Sequence, residues 1–428
     1  MAFFLEGAVA PVSSKVYIDI DSPSMQKFPI AITDFVKQGG AADRENTSMW
    51  FADQLARALK ITGYFNIIEK SAFLEKPGQG ALTSASIRFA DWSVIGAESL
   101  VKGSFQYSGR ELSADFLLFD VIQGKLIAGK KYTGQIQDRK NMVLKFAGEI
   151  LYTLTGERGV FDTKIAFAGK KGRISDIFTI DYDGSNLLRV TNHKNLSILP
   201  NWSPDGKYIT FTSYKNANPD LYIVNSGGGR EKKLSEFKGL NLSGPWSPDG
   251  RSLLLTLSKD GNEEIYILNT QDGSMKRLTY DPAIDVSPAW SPDGGRIAFV
   301  SDRAGTPQIY IMDADGANVR RLTFEGNYNT SPRWSPRGDR IVFESMKNGN
   351  FQICTIDTNG GNLVQLTSRG RNESPSWSPD GRYIAFVSTV SGRAKIMIMN
   401  SNGSNMRVLH EGMDNYLNTC WSPHLNFD

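Results

Sequence analysis

Short apolar segments, separated at close intervals by Pro, Asp and Gly, fill the chain from about residue 164 onward. In one stretch, RIAFVS at 296–301 and QIYIMD at 308–313 are short apolar runs rich in β-branched and aromatic residues. Turn residues flank them at Pro292-Asp293-Gly294 and Asp315-Gly316. This pattern predicts short antiparallel strands joined by hairpins rather than helices.

The tripeptide Trp-Ser-Pro recurs in this region at a nearly constant spacing. Successive spacings are 44, 44, 44, 43 and 44 residues, and each unit has room for four short strands. A period of this length with four strands per unit predicts a β-propeller with one blade per repeat. The six tryptophans are Trp202, Trp246, Trp290, Trp334, Trp377 and Trp421.

The two ends of the repeat array are complementary halves. Five of the tryptophans lie seven residues before a residue of the next strand, as Trp202 lies before Ile209. The strand that begins at Ile165 has no tryptophan ahead of it, and Trp421 has no strand after it. We therefore expect the C-terminal strand to pair with the first blade, which closes a six-bladed ring over 161–428 and removes the exposed edges.

The loops of the predicted ring fall on two faces. The Ser-Pro-Asp-Gly turns and the turns between third and fourth strands share one face, called the lower face here. The segments between blades and the loops between second and third strands share the upper face and are longer and more variable. Variable loops on a rigid scaffold are the usual binding elements, so we expect the functional surface on the upper face.

The first third of the chain lacks the repeat and is predicted to be a small α/β domain over 15–160. Apolar residues at helical spacing predict one helix through Phe51 that ends near Gly63 and another through Phe146 that ends near Gly156. Residues 1–14 lack the basic start of a signal peptide and are interpreted as a leader or signal remnant. The predicted strands lie at 16–20, 29–35, 65–69, 99–105, 112–121 and 125–132.

Composition narrows the possible functions. The formal net charge is +3, from 48 basic and 45 acidic residues, which argues against nucleic acid as a partner. No apolar run approaches the length of a membrane-spanning helix. The two cysteines have no CxxC spacing. The three histidines are expected at separate places: His193 before the second blade, His410 in the loop after the last outer strand, and His424 near the closing strand. We therefore predict no metal site.

The motifs of common enzymes are also missing. The sequence contains no Walker A pattern and no Gly-x-Ser-x-Gly nucleophile motif. Gly78-Gln79-Gly80 is too short for a phosphate-binding loop, and Asp-x-Asp-Gly at 181–184 and 313–316 is better explained by hairpin turns than by calcium binding. We expect no catalytic residues and no cofactor.

The combination of an α/β domain and six Trp-Ser-Pro repeats resembles the TolB family of the Tol-Pal envelope system. The more specific elements are VYIDIDS at 16–22 leading to Pro29-Ile30, the exit at Leu154-Thr-Gly156, and KIAF at 164–167. The resemblance implies a non-enzymatic, monomeric adaptor in the periplasm that supports outer-membrane integrity and invagination during cell division. Other envelope proteins or toxins are further possible partners.

The resemblance also implies two partner sites. The inner-membrane-anchored protein TolA would bind the N-terminal segment. The segment could pack as an edge strand or detach and add to a partner's sheet. On this chain the segment comprises Lys15, Val16, Tyr17, Ile18, Asp19, Ile20, Asp21 and Ser22.

The lipoprotein Pal would bind at the mouth of the propeller channel. The positions four residues before each tryptophan are mostly apolar, and they could form a binding rim or simply plug the pore. Leu240 stands where better-known family members have a histidine, with Ser243 three residues on, so Pal recognition is expected to differ in detail. The six positions are Ile198, Leu242, Val286, Thr330, Glu373 and Leu417.

An alternative from another functional class is a propeller enzyme or a sugar-binding module that uses the channel as its pocket. Such a site needs acid-base side chains around the pore. Of the six positions before the tryptophans, only Glu373 is acidic. The sequence therefore favours the adaptor.

Overall fold

The computed structural model describes residues 27–40, 42–76, 78 and 80–426, and by their contacts these residues form two compact units divided between Phe161 and Asp162. The predicted strand at 16–20 lies outside the described residues. The N-terminal unit contains short 3₁₀ turns and the following elements: β1 Phe28–Ile32, β2 Val36–Lys37, α1 Thr47–Thr62, β3 Phe65–Ile67, α2 Phe89–Val94, β4 Ser99–Ser108, β5 Glu111–Asp120, β6 Lys125–Gln135 and α3 Arg139–Thr155.

The sheet of the N-terminal unit has the order β3-β1-β4-β5-β6, with β2 also paired to β4. Strands β1, β3 and β4 run parallel, whereas β4, β5 and β6 form an antiparallel meander. Both predicted helices are confirmed, and each ends at a glycine with positive φ, 81° at Gly63 and 76° at Gly156. The strand predicted at 29–35 was wrong at its end, because β1 stops at Ile32 and the chain turns before β2.

Phenylalanine rings fill the core between this sheet and its helices. Phe35 and Phe51 are fully buried, and both pack edge-on against Phe116, with ring centroids 4.7 and 5.3 Å apart. Edge-to-face packing of this kind adds to the burial of the rings themselves. The unit therefore has its own hydrophobic core.

The second unit is a six-bladed β-propeller, as predicted from the repeat. Each blade is a four-stranded antiparallel sheet in which the first strand of the unit lies innermost and carries the tryptophan. The strands are, for blade 1, β7 Lys164–Lys171, β8 Ile174–Asp181 and β9 Leu188–Arg189; for blade 2, β10 Ser197–Trp202, β11 Tyr208–Asn216, β12 Asn218–Asn225 and β13 Lys232–Ser235; for blade 3, β14 Asn241–Trp246, β15 Ser252–Leu257, β16 Glu264–Asn269 and β17 Met275–Arg277; for blade 4, β18 Asp285–Trp290, β19 Arg296–Ser301, β20 Gln308–Asp313 and β21 Arg320–Arg321; for blade 5, β22 Asn329–Trp334, β23 Arg340–Lys347, β24 Asn350–Asp357 and β25 Val364–Gln365; for blade 6, β26 Arg371–Trp377, β27 Tyr383–Val390, β28 Arg393–Asn400 and β29 Arg407–His410; and for the closure of blade 1, β30 Asn415–Trp421.

The predicted ring closure is confirmed. Strand β30 pairs antiparallel with β7 and places Trp421 opposite Ile165, the same register in which Trp202 lies opposite Ile209 in blade 2. The indole N–H of Trp421 also donates to Thr163 Oγ1 at 2.9 Å. The innermost strand of blade 1 therefore comes from the opposite end of the propeller, and the ring has no free edge at its seam.

A repeated hydrogen bond ties the outer strands of the blades together. In four blades, a polar side chain at or near the start of the third strand forms a hydrogen bond with the hydroxyl of a threonine 15 residues later. The same hydroxyl accepts a backbone N–H of the third strand; in blade 1, Thr191 accepts the N–H of Ile177 at 2.9 Å. These buried bonds hold the base of each upper loop in place. The pairs are Asp176 with Thr191, Glu264 with Thr279, Gln308 with Thr323, and Gln352 with Thr367.

Candidate functional site

The innermost strands converge on a central channel that encloses a cavity of about 60 Å³. All six blades contribute to its wall. Five of the residues that lie three positions before a tryptophan have φ between 53° and 56°, where the register of the inner strand shifts against its neighbour. Such bulges redirect side chains. The lining residues are Leu199, Leu242, Ser243, Gly244, Thr256, Ser287, Pro288, Ser331, Arg333, Ser374, Pro375, Asn418 and Thr419.

Blade 3 departs from this pattern. Its register shift lies one residue later, between Ser243 and Trp246. A Cβ on Gly244 would lie 2.4 Å from the carbonyl oxygen of Leu254, so only glycine allows the two strands to approach this closely. As a result both Leu242 and Ser243 face the cavity.

The residues predicted at the channel mouth are therefore only partly brought together. Leu242 and Ser243 line the cavity, whereas Ile198 and Leu417 are half-buried against the hydrophobic cluster between blades 1 and 2. Leu240 directly precedes β14, and its backbone N–H donates to Ser258 Oγ at 2.9 Å. The six positions thus do not form one continuous apolar ring.

The other three predicted positions lie on blades 4, 5 and 6, outside the cavity lining. Val286 pairs with Val300, and Thr330 pairs with Glu344. Glu373 accepts two hydrogen bonds from the guanidinium of Arg371, at 2.6 and 2.7 Å. The segment Lys15–Ser22, predicted to bind TolA, lies outside the described residues.

Two charged residues at the channel were missed by the sequence analysis. Arg333 directly precedes Trp334 and lines the cavity. The corresponding residues of the other repeats are uncharged, so this departure from the repeat was a usable signal; they are Asn201, Pro245, Ala289, Ser376 and Cys420.

Glu344 is the second of these residues, and it is buried beside the channel. One carboxylate oxygen accepts the backbone N–H of Ser374 at 2.6 Å. Burial raises the pKa of Glu344 to about 7, and the negative charge of Glu373 adds to the rise. A carboxyl group with this pKa exchanges its proton near neutral pH.

Exposed aromatic residues lie on the upper-face loops of blades 3 to 5. Tyr280 and Phe324 are each 72% exposed, and they follow the outermost strands of blades 3 and 4. The guanidinium of Arg277 lies 4.8 Å from the ring of Tyr280, and that of Arg321 lies 4.9 Å from the ring of Phe324. We call the exposed apolar side chains of these loops the upper rim; it comprises Phe237, Tyr280, Ile284, Phe324 and Tyr328.

His193 takes part in a network that superficially resembles a catalytic triad. Its Nε2 lies 2.8 Å from a carboxylate oxygen of Glu231, and its Nδ1 lies 2.9 Å from Ser213 Oγ and 3.0 Å from Ser197 Oγ. Both serines are fully buried, so a substrate cannot reach either hydroxyl. Burial opposes ionisation of Glu231, but hydrogen bonds from His193 and Lys215 outweigh it and lower the pKa of Glu231. The network is structural.

The other two histidines are also engaged. The loop position predicted for His410 was wrong, because this residue ends strand β29; its Nδ1 lies 2.8 Å from the hydroxyl of Tyr416. Burial lowers the pKa of His410. His424 Nδ1 lies 2.8 Å from Asp162. Within the described part of the chain, no group of three His, Cys, Asp or Glu side chains is placed to hold a metal ion.

The two cysteines, Cys354 and Cys420, are both free thiols. Burial raises the pKa of Cys354 to about 11 and also raises that of Cys420. A thiol with a raised pKa is a poor nucleophile at neutral pH.

Among the described helices, none is long and apolar enough to cross a membrane.

Comparison with known proteins finds matching families over most of the chain. A family model described as the TolB beta propeller domain matches residues 151–425, and one described as the TolB amino-terminal domain matches residues 16–127. A crystal structure of TolB from Acinetobacter baumannii superposes with a TM-score of 0.81 at 27% identity, covering 93% of this chain and 97% of that one.

Curated relatives are similar over part of their length. The Tol-Pal system protein TolB of Syntrophus aciditrophicus is 49% identical over 211 residues, which cover 48% of this chain and 47% of the relative. The Tol-Pal system protein TolB of Desulfosudis oleivorans is 40% identical over 199 residues, covering 46% and 45%. These alignments therefore span about half the length of the curated relatives.

Proposed function

The chain belongs to the TolB family, and from this membership we propose that it is a non-enzymatic adaptor of the Tol-Pal envelope system. In this proposal the upper face of the propeller binds the lipoprotein Pal, and the N-terminal segment binds TolA. Together the two contacts would link the inner and outer membranes and support outer-membrane integrity and invagination during cell division. The proposed Pal site is based on the exposed aromatic residues of the upper rim.

The aromatic residues of the upper rim are held by buried parts of their own blades. The guanidinium that covers Tyr280 belongs to Arg277, which donates to the fully buried carboxylate of Glu264 at 2.5 Å. The guanidinium that covers Phe324 belongs to Arg321, which donates to the backbone carbonyl of Thr323 at 2.6 Å. Rigid, exposed aromatic rings lose little conformational entropy on binding and are typical hot spots of protein interfaces.

The channel mouth would supply the inner part of the same interface. Leu242 and Ser243 already face the cavity, and Leu240 lies just before the strand that carries them. We propose that these residues contact Pal together with the half-buried positions of the other blades, Ile198, Val286, Thr330, Glu373 and Leu417.

Titration calorimetry with the soluble domain of Pal from the same organism tests this proposal. We expect the double variant Tyr280→Ser, Phe324→Ser to weaken binding by about 30-fold or more, since an aromatic hot spot is worth about 2 kcal/mol. The matched control is Tyr208→Ser, Val364→Ser. These side chains are 43% and 48% exposed and adjoin the lower-face turns. Equal affinity of both double variants, or no binding by the unmodified chain, would contradict the Pal site.

The TolA contact is tested separately. We propose that Lys15–Ser22 binds TolA, and we expect a chain that begins at residue 27 to lose binding to the C-terminal domain of TolA while it keeps binding to Pal. Retained TolA binding by the shortened chain would contradict this part of the proposal. Unchanged circular dichroism of the shortened chain is the control for folding.

Membership of the family supports both the adaptor role and the periplasmic location, and the size of the channel cavity adds support for the adaptor role. A cavity of about 60 Å³ is far smaller than the roughly 300 Å³ or more of ordinary small-molecule sites, which supports an adaptor over the alternative of a sugar-binding module or enzyme. Fractionation of cells that produce the protein from its native gene tests the location. Recovery with the spheroplasts rather than in the periplasmic fraction would contradict it.

A further inference from the structure

One charged side chain faces the channel without a partner from the protein. Arg333 contributes to the cavity wall, and its backbone carbonyl accepts the indole N–H of Trp377 at 3.1 Å. Within the described residues, its guanidinium forms neither a hydrogen bond nor an ion pair. Burial lowers the pKa of Arg333, but an arginine stays protonated at neutral pH. The wall of the channel therefore carries a half-buried positive charge that forms no ion pair within the described residues.

The nearby carboxylates are engaged elsewhere. Glu344 approaches closely enough to influence Arg333 electrostatically, but it accepts the backbone N–H of Ser374 at 2.6 Å and makes no ion pair with the guanidinium. Glu373 holds Arg371 through both of its oxygens. Arg333 is half-buried, and a charge of one sign on the wall of a narrow channel attracts an ion of opposite sign more strongly than it would in open water, so the position of Arg333 favours an anion from outside the protein.

The rest of the cavity wall suits such an anion. Serine and threonine residues from blades 3 to 6 and from the closing strand line the cavity that Arg333 also lines. The hydroxyls of Ser243 and Thr419 donate to Thr210 and to the backbone carbonyl of Ser374, so the hydroxyls that could donate to an anion are those of other lining residues. The hydroxyl oxygen of Ser374 accepts the backbone N–H of Asn418 at 3.0 Å, which leaves its proton free to donate. Hydroxyl and guanidinium donors that converge from several sides are the pattern by which proteins hold small anions.

We propose that the central channel is a binding site for a small monovalent anion, a halide or a carboxylate no larger than acetate, held by Arg333 and the surrounding hydroxyls. The volume of about 60 Å³ holds such an ion with a few waters and is too small for a sugar or a nucleotide. This site requires neither Pal nor TolA and does not depend on the proposed function.

Chloride-35 NMR line broadening of the full chain tests the site directly. We expect the unmodified chain to give saturable excess broadening that acetate displaces and gluconate, which is too large, does not. The variant Arg333→Met should lose about nine-tenths or more of this broadening, because the only charged donor is gone. Arg333→Lys, which keeps the charge, should retain part of it.

Arg251→Met is the matched control, because the side chain of Arg251 is 74% exposed on a lower-face turn. It should broaden chloride as the unmodified chain does, and far-UV circular dichroism should show all variants folded. No saturable broadening by the unmodified chain would overturn the proposal. Equal broadening by Arg333→Met, or displacement by gluconate as effective as displacement by acetate, would also overturn it.

Discussion

Trp421 and Trp334 occupy equivalent positions in the repeat and are equally buried, but they differ in whether their indole N–H is satisfied, and this difference predicts a difference in stability. Trp421 and Trp334 are 6% and 7% exposed. The N–H of Trp421 donates to Thr163 Oγ1 at 2.9 Å, whereas the N–H of Trp334 has no acceptor among the described residues. Replacing each by phenylalanine removes the same volume, so the hydrogen bond is the main difference between the two substitutions; the contacts of each ring, with Tyr383 for Trp421 and with Arg296 for Trp334, are smaller contributions.

The expected difference follows from two contributions. Trp421→Phe loses a buried hydrogen bond, which costs about 1 kcal/mol. Trp334→Phe removes a buried donor that has no partner, and relief of that desolvation returns about 1 kcal/mol or more. Arg296 lies 5.0 Å from the ring of Trp334, and its weaker attraction to phenylalanine offsets part of this gain. Trp421→Phe should therefore be less stable than Trp334→Phe by about 2 kcal/mol.

Urea unfolding followed by far-UV circular dichroism measures this difference in the propeller transition. At a slope of about 3 kcal/mol per M, the midpoint of Trp421→Phe should lie about 0.7 M below that of Trp334→Phe, with equal slopes. A second pair checks the result: the N–H of Trp377, which is also 7% exposed, donates to the backbone carbonyl of Arg333 at 3.1 Å, so Trp377→Phe should likewise have a lower midpoint than Trp334→Phe. Equal midpoints in both pairs, or a lower midpoint for Trp334→Phe, would refute the reasoning.

Three further predictions concern other parts of the chain. Gly103→Ala should lower the free energy of unfolding by roughly 1–3 kcal/mol, because its Cβ would lie 2.2 Å from the side chain of the fully buried Phe35. Gly40→Ala is the control and should change the free energy of unfolding little, since its Cβ would have nothing within 4 Å; urea unfolding compares the two variants. Cys354 should resist a disulfide reagent at pH 8 until the chain unfolds, since burial raises its pKa to about 11; rapid labelling of the native chain would contradict this. The folded state raises the pKa of Glu344 from 4.5 to about 7, so the folded protein binds this proton more tightly than the unfolded chain does. The stability that this proton binding contributes is lost as the pH rises through 7. Glu344→Gln should therefore stabilise the chain by about 3 kcal/mol at pH 8 and have little effect at pH 4, which unfolding at the two pH values measures.

Much of the fold could be predicted because the repeat is local in sequence. The seven-residue step from each tryptophan to the next strand is the span of one tight turn, so it sets the pairing of Trp202 with Ile209 in the folded protein. The same step, missing at both ends of the array, predicts that Trp421 lies opposite Ile165. The two helix ends at Gly63 and Gly156 were predictable for a similar reason, since their left-handed caps depend on neighbouring residues alone.

The site was less predictable, because the orientation of an inner-strand side chain depends on a bulge. The positions four residues before each tryptophan were expected to ring the channel, but the register shift turns Ile198 away and brings the following residue, Leu199, to the cavity. In blade 3 the shift comes later, and Leu242 does face the cavity. A displacement of one residue in a strand changes which side chain points inward, and alternation alone does not locate it.

The sequence by itself determined the number of blades, the order of strands within each blade and the closure of the ring, since these follow from turns and periodicity within about 44 residues. Only the tertiary structure decided what meets at the centre. Arg333 and Glu344 approach Ser374 and Asn418 there, although these residues lie in three different blades. Contacts between blades depend on how the ring closes in space, which no local pattern encodes, and for that reason the charged channel emerged only from the folded molecule.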